Sequence, residues 1–169
     1  MTSERDEHVI RIIVTNLIYC ALAITIASLA LEADRLWPFK LPRQLELVAW
    51  PLLILGTVLI LVAEYSIITE SHATGAFGNP PGKLVTTGIY SWVRNPIYIG
   101  AAMLLFGIAF FRNSPTMLII AFIFLISIHA FVVLIEEPRI ERRFGAAYRR
   151  YKESVPRWLP RLSRREEDK

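Results

Sequence analysis

Four apolar runs, 9–31, 45–69, 97–111 and 116–135, alternate with polar stretches along the 169 residues. Each is too long for an ordinary strand and reads as a helix. The first, second and fourth reach the roughly 20 residues with which an α-helix crosses about 30 Å of hydrocarbon. The third, "IYIGAAMLLFGIAFF", is shorter. It crosses with help from Asn95, Pro96 and Arg112 at its ends, or by thinning the bilayer and burying itself among other helices. "RNSP" then makes a tight turn into the fourth run. The pattern predicts an all-α, polytopic bundle of about four transmembrane helices in a single membrane domain, 1–169, without internal repeat or dividing linker.

Two polar stretches are rich enough in composition to carry chemistry, 70–96 and 136–160. The first is an irregular loop through Gly82, because the Pro80-Pro81 pair excludes a helix there. In the second, Pro138 is tolerated in a first helical turn, so a new helix is expected to start near Glu137 and to end at Pro156. Ile140, Phe144, Ala147, Tyr148 and Tyr151 recur on one face, with Arg139, Arg142, Arg143, Arg149 and Arg150 mostly elsewhere. This predicts a C-terminal cytoplasmic amphipathic helix lying at the membrane surface.

Composition agrees with a membrane protein: 54% of residues are hydrophobic. The opening "MTSERDEH" lacks the basic character of a cleaved signal and its apolar run is too long, which predicts a retained span. With four crossings, both termini and 70–96 share one side, which collects fifteen of the nineteen Lys and Arg; Arg35, Lys40, Arg43 and Arg112 lie opposite. That side is expected to be cytoplasmic. The net charge of +4 is then a topology signal with a secondary attraction to anionic membrane lipids, and no nucleic-acid partner is implied. On the other side, Trp37 and Phe39 read as interfacial anchors. The single cysteine, Cys20, implies no disulfide and no metal site.

Several polar residues stand out, each with a plain alternative. Glu136 and Glu137 are either a solvated helix boundary or acceptors for a hydroxylated or aminated ligand. Arg94 is either a lone membrane anchor or part of a cluster with Tyr90, Trp92, Asn95 and Tyr98. His129, seven residues before Glu136, shares nearly its helical face; it is a functional candidate or a donor to a neighbouring backbone carbonyl. Glu64 is a functional candidate or an interfacial residue. His8 and His72 read as solvated.

"LVTTGIYSWVRNPIYIG" followed by "EEPRIERRFGAAYRRYKESVPRWLP" resembles the isoprenylcysteine carboxyl methyltransferase and phospholipid N-methyltransferase superfamily of integral-membrane enzymes. Its signature is an Arg-His-Pro-x-Tyr-x-Gly segment and a later Glu-Glu pair ahead of Phe-Gly-x-x-Tyr-x-x-Tyr. The resemblance covers 84–160, in order. It implies an S-adenosylmethionine site built without a Rossmann domain, and no strand-linked glycine fingerprint is present. Carried onto this chain, the cofactor-binding residues are Leu84, Val85, Tyr90, Arg94, Asn95, Pro96, Tyr98, Glu136 and Glu137, with Arg94, Glu136 and Glu137 as the catalytic set. The cofactor's carboxylate suits Arg94 or backbone N–H groups, its ammonium and ribose suit a glutamate, and its sulfonium suits aromatic faces.

Two positions depart from the pattern. Asn95 replaces the signature histidine and carries no charge near neutral pH, so proton transfer there is not expected. Val132 stands where the eukaryotic prenylcysteine enzymes carry an arginine for the substrate carboxylate, which argues against that substrate. The expected function is methyl transfer from S-adenosylmethionine to a lipid-like or small hydrophobic acceptor at the cytoplasmic face. An amine acceptor would have to lose a proton, for which Glu64, His129 or the glutamate pair are the candidates. The alternatives are an isoprenylcysteine-type carboxyl methyltransferase, a dinucleotide-dependent membrane reductase and an inactive membrane scaffold.

Overall fold

The computed structural model describes residues 14, 18, 21–22, 24–37, 40–71 and 83–160. Cys20, Phe39, His8, His72 and the Pro80-Pro81 loop lie outside the described residues. What is described is helical, with no strand among the described residues. Helix α1 runs continuously over 24–33, with residues 14, 18, 21 and 22 also helical. Helix α2 spans Glu46–Ser71, α3 Pro96–Phe111 and α4 Pro115–Phe131, so helices stand where the apolar runs are.

The ends of these helices follow from local chemistry. Pro96 and Pro115 open α3 and α4 at positions where a missing N–H costs nothing. Ser114 caps α4 by accepting from the Met117 N–H, 3.0 Å away. Between α3 and α4, Asn113 takes the left-handed conformation that asparagine tolerates, with φ of 54°. Asp34, just past α1, adds a second cap: its carboxylate accepts from the Thr116 N–H at 2.9 Å. Trp37 donates to the Thr116 hydroxyl, also at 2.9 Å, so the α1–α2 connection is tied to the start of α4. Burial works against the Asp34 charge, yet the hydrogen bonds from Ser114 and Thr116 prevail and hold its carboxyl below the usual range.

Helices α2 and α3 run antiparallel and touch through small residues. Ala49 and Leu53 meet Gly107, Gly56 meets Gly100, and Ala63 lies in the cluster that Ile97 joins. A Cβ on Gly100 would stand 2.6 Å from Ile60 and 2.7 Å from the Gly56 carbonyl oxygen, so only glycine permits this approach. Helix α4 returns beside α3, with Phe106 edge-on to Phe122 at 5.2 Å. Ala30 of α1 packs with Ala109 and Met117.

The fourth apolar run does not end before the glutamates. Helix α4 passes through a π turn, Val132–Glu136, directly into α5, Glu137–Phe144. Pro138 lies in this continuous rod and explains the turn: it cannot donate to the carbonyl four residues back, and the wider π geometry relieves the clash of its ring. The expected fresh start near Glu137 is therefore a continuation. The expected amphipathic helix is broken at Gly145, whose φ of 55° and ψ of −126° few other residues adopt, and resumes as α6, Ala146–Ser154. Tyr148, Tyr151 and Val155 pack into a cluster with Leu84, Ile140 and Phe144, while Ala147 is exposed.

Among the described residues, two helices, Arg43–Glu70 and Pro115–Phe144, are long and apolar enough to cross a membrane. Their outward faces expose large apolar side chains, among them Leu47, Trp50, Ile54, Leu61, Phe122 and Ile126.

Candidate functional site

The α2 C-terminus, the α3 N-terminus and the α4–α5 junction meet at one end of the bundle, where arginines from two further segments converge on one carboxylate. Glu137, 7% exposed, accepts from Arg94 Nη1 through Oε1 at 2.9 Å. Arg157 embraces the same group, with Nε 2.7 Å from Oε1 and Nη2 2.9 Å from Oε2. Arg94 Nη1 also lies 3.4 Å from the Tyr148 hydroxyl. Burying one charge against another is stable only when the geometry satisfies both, and the Arg157 fork supplies the planar, two-bond pairing that does so. The hydrogen bond to Glu137 holds Arg157 above its ordinary range. Burial, seconded by the Glu137 charge, pushes the Tyr148 phenol up to about 12.

The neighbouring Glu136 is treated differently. Its Oε1 accepts from the Tyr98 hydroxyl of α3 at 3.2 Å, whereas Oε2 is buried with no hydrogen-bond partner. Arg94 Nε is likewise buried and unpaired. Native proteins rarely leave buried polar atoms unmatched; the orphan acceptor on Glu136, beside Glu137 in sequence, and the orphan donor on Arg94 of the ion cluster can each take a complementary group, and Asn113 Oδ1 in the α3–α4 turn is likewise unpaired. The two glutamates thus divide: Glu137 is committed to two guanidinium groups, and Glu136 keeps an oxygen in hand.

The structure also gathers the other expected residues, in varied roles. Tyr90 is buried in the turn Gly88–Ser91, and its carbonyl accepts from the Tyr151 hydroxyl at 2.7 Å. Burial first, then the charges of Tyr151, Glu136 and Glu64, raise the Tyr90 phenol well above its usual value. Val85 packs with Ala63, Ile67 and Tyr90; Leu84 packs with Tyr148 and Tyr151. Pro96 is wholly buried. Asn95 donates through Nδ2 to the Arg157 carbonyl at 3.1 Å, beside the bond from the Arg94 N–H to the Pro156 carbonyl at 2.9 Å. The asparagine at the signature position therefore holds the C-terminal segment in place. Val132 is fully buried at the start of the π turn.

His129 stands apart. It is exposed and accepts from the Trp158 indole N–H at 3.1 Å, so it does not donate in that contact, while Glu136 is half-buried against Tyr98. The intervening π turn disturbs the helical register on which the shared face depended. Glu64 is half-buried on the strip of α2 that carries Ile60, packed against Gly100, and Ile67, packed near Tyr90. Among the described residues no three His, Cys, Asp or Glu side chains gather as a metal site.

Arg157 is the principal residue that sequence reasoning does not single out. It lies in "VPRWLP", outside any helical period, and its only signal is membership of the 136–160 stretch. Tyr148 and Tyr151 are legible as an apolar face, but their hydroxyl contacts are not.

A profile of the phospholipid methyltransferase family matches residues 45–147, which include Arg94, Tyr98 and both glutamates. The chain is similar to a phosphatidylethanolamine N-methyltransferase of Yarrowia lipolytica, 29% identical over 126 residues that make up 70% of this chain and 12% of the relative. It is also similar to a protein-S-isoprenylcysteine O-methyltransferase of Saccharomyces cerevisiae, 28% identical over 115 residues, 63% of this chain and 48% of that relative. The matched part thus spans about an eighth of the first relative and about half of the second.

Proposed function

The chain belongs to the phospholipid methyltransferase family, and from that premise we propose that it transfers a methyl group from S-adenosylmethionine to a lipid-like or small hydrophobic acceptor at the cytoplasmic membrane face. The observation that carries this reading is the pair of buried orphan atoms, Glu136 Oε2 and Arg94 Nε, beside the Glu137 ion cluster. An amino-acid tail on a nucleoside presents the complementary groups: a carboxylate for the guanidinium N–H, and an ammonium or ribose hydroxyls for the carboxylate. The residues present fit the donor.

Bound there, S-adenosylmethionine would supply an electrophilic methyl carbon on a sulfonium for the acceptor's lone pair, the sulfur keeping the bonding electrons. The chain's own contribution is orientation and shelter. Arg94 and Glu136 would hold opposite charges of the donor and Tyr90 and Tyr98 would offer aromatic faces to a cation, with Val85 packed against Tyr90 and Leu84 against Tyr148. Glu137 keeps Arg94 in place. Asn95, occupied by the Arg157 carbonyl, takes no part in proton transfer. Burial of the cluster excludes water, which strengthens each charge contact.

Around this site the reading is a bundle of about four crossing helices, with both termini, α5 and α6 on the cytoplasmic side. The exposed apolar faces of α2 and α4 support it, since water would penalise them and lipid does not. The acceptor would reach the site sideways between helices. Val132 favours an acceptor without a carboxylate, because its buried apolar side chain offers no cation.

Titration of the purified protein tests the cofactor: S-adenosylmethionine is expected to bind and NADPH is not. For the acceptor, membranes incubated with labelled donor are expected to yield label in the organic extract with wild type and not with Arg94→Ala. Binding of NADPH alone would replace the reading with a reductase, and binding of neither with a scaffold. Efficient labelling of a prenylcysteine analogue would overturn the acceptor class.

A further inference from the structure

Glu137 is held by two arginines from distant parts of the chain, and only one of them carries an unpaired inner N–H. Arg94 uses Nη1 on Oε1 and leaves Nε unmatched, while Arg157 takes Oε1 and is the partner of Oε2. We propose that Arg157 is a positioning residue for the donor's carboxylate, acting through Glu137 to keep the Arg94 Nε–H free for the ligand. The assignment rests on the methyl-donor reading above.

The reason is geometric. A guanidinium prefers to meet a carboxylate with two parallel N–H bonds, and it takes the second oxygen when nothing else holds it. With Oε2 occupied by Arg157, Arg94 is confined to one bond. Without Arg157, Arg94 turns its Nε–Nη edge onto Glu137 and withdraws that edge from any ligand. Charge acts in the same direction: Arg94 and Arg157 balance Glu136 and Glu137, and removing Arg157 leaves an excess negative charge beside the donor's own carboxylate.

Arg157 is itself fixed by a strap of chain. The Pro156 carbonyl accepts from the Arg94 N–H, the Arg157 carbonyl from Asn95, and the Trp158 indole donates to His129. Val155 is buried against Tyr148 and Tyr151. These contacts hold the backbone independently of the Arg157 side chain, so its removal is expected to leave the strap seated. The family match ends at residue 147, before the strap begins.

The test is calorimetry on the full chain in lipid nanodiscs with two ligands that differ in one group, S-adenosylhomocysteine and its decarboxylated analogue. Arg157→Ala is expected to weaken S-adenosylhomocysteine about tenfold, or about 1.4 kcal/mol, and to leave the decarboxylated analogue within about twofold. Arg157→Lys, which keeps the charge without the fork, should recover part of the loss. In an Arg94→Ala background, Arg157→Ala should add nothing, because the group it positions is gone. Equal loss of both ligands, or additive losses in the double variant, would mean that Arg157 is only structural and would overturn the proposal. Failure of wild type to bind S-adenosylhomocysteine would overturn the methyl-donor reading itself, and the assignment with it.

Discussion

Glu136 and Glu137 are chemically identical and adjacent, yet their surroundings give them opposite tasks. Replacing Glu137 leaves two guanidinium groups facing an amide in a buried cluster, a fault that costs about 3 kcal/mol when a buried ion pair is broken. Glu137→Gln should therefore lower the thermal midpoint in detergent markedly. Glu136→Gln retains an acceptor for Tyr98 and loses only the charge offered to a ligand, so folding should change little while donor affinity falls by about 1.5 to 3 kcal/mol. Calorimetry beside thermal denaturation separates the two; if the variants behave alike, the division between the glutamates is wrong. Asn95 permits a sharper contrast. Asn95→Ala deletes its bond to the Arg157 carbonyl, whereas Asn95→Asp sets a negative acceptor against that carbonyl. The aspartate should be the less stable of the pair, and equal midpoints would mean the bond does not matter.

At the scale of the helices, the α2–α3 seam is set by residues that lack bulk. Gly100→Ala would push a Cβ against the Ile60 side chain and the Gly56 carbonyl, and the carbonyl cannot move without shifting a helix. Overpacking of this kind costs about 1 to 3 kcal/mol, whereas Leu55→Ala on the outward face of α2, 56% exposed, should stay within about 0.5 kcal/mol. Thermal denaturation of both in one detergent is the check, and a harmless Gly100→Ala would show the seam to be looser than drawn. The start of α4 depends on a residue distant in sequence. Asp34→Ala removes an acceptor from the Thr116 N–H and should cost about 1 kcal/mol, the usual value of a helix cap. Below the carboxyl's lowered range Asp34 takes up a proton and its stabilising charge is lost, so the difference between wild type and Asp34→Ala should shrink as pH falls through that range.

For the whole molecule, the decisive question is which side of the membrane holds the site. If the chain crosses four times, fifteen of its nineteen Lys and Arg fall on the side of the site, and the expectation from that split is the cytoplasm. In a Cys20→Ser background, single cysteines at Ser91 and Glu153 should be labelled from the cytoplasmic side, and one at Lys40 from the other. Ser114 does not serve this purpose, because it is wholly buried as the cap of α4. Labelling of Ser91 and Glu153 from opposite sides would contradict the packing that places Tyr90 against Tyr151.

Sequence alone determined where helices form, because the length of an apolar run and the prolines that open it are local properties; α2, α3 and α4 stand within a few residues of the apolar runs. The resemblance to a methyltransferase family implied that Arg94, Tyr98, Glu136 and Glu137 lie together, and the Tyr98–Glu136 and Arg94–Glu137 contacts join them in pairs. Tertiary structure decided the rest. Which glutamate keeps a free oxygen depends on Arg157, 20 residues on and without periodic signal. That Asn95 grips a backbone carbonyl depends on how the C-terminal strap returns across α3. Whether His129 and Glu136 share a face depends on a π turn that periodicity, which assumes one pitch throughout, does not foresee. Local pattern specifies which groups are present and on which rod they ride; partner choice among like charges is a property of three-dimensional approach, and only the folded chain supplies it.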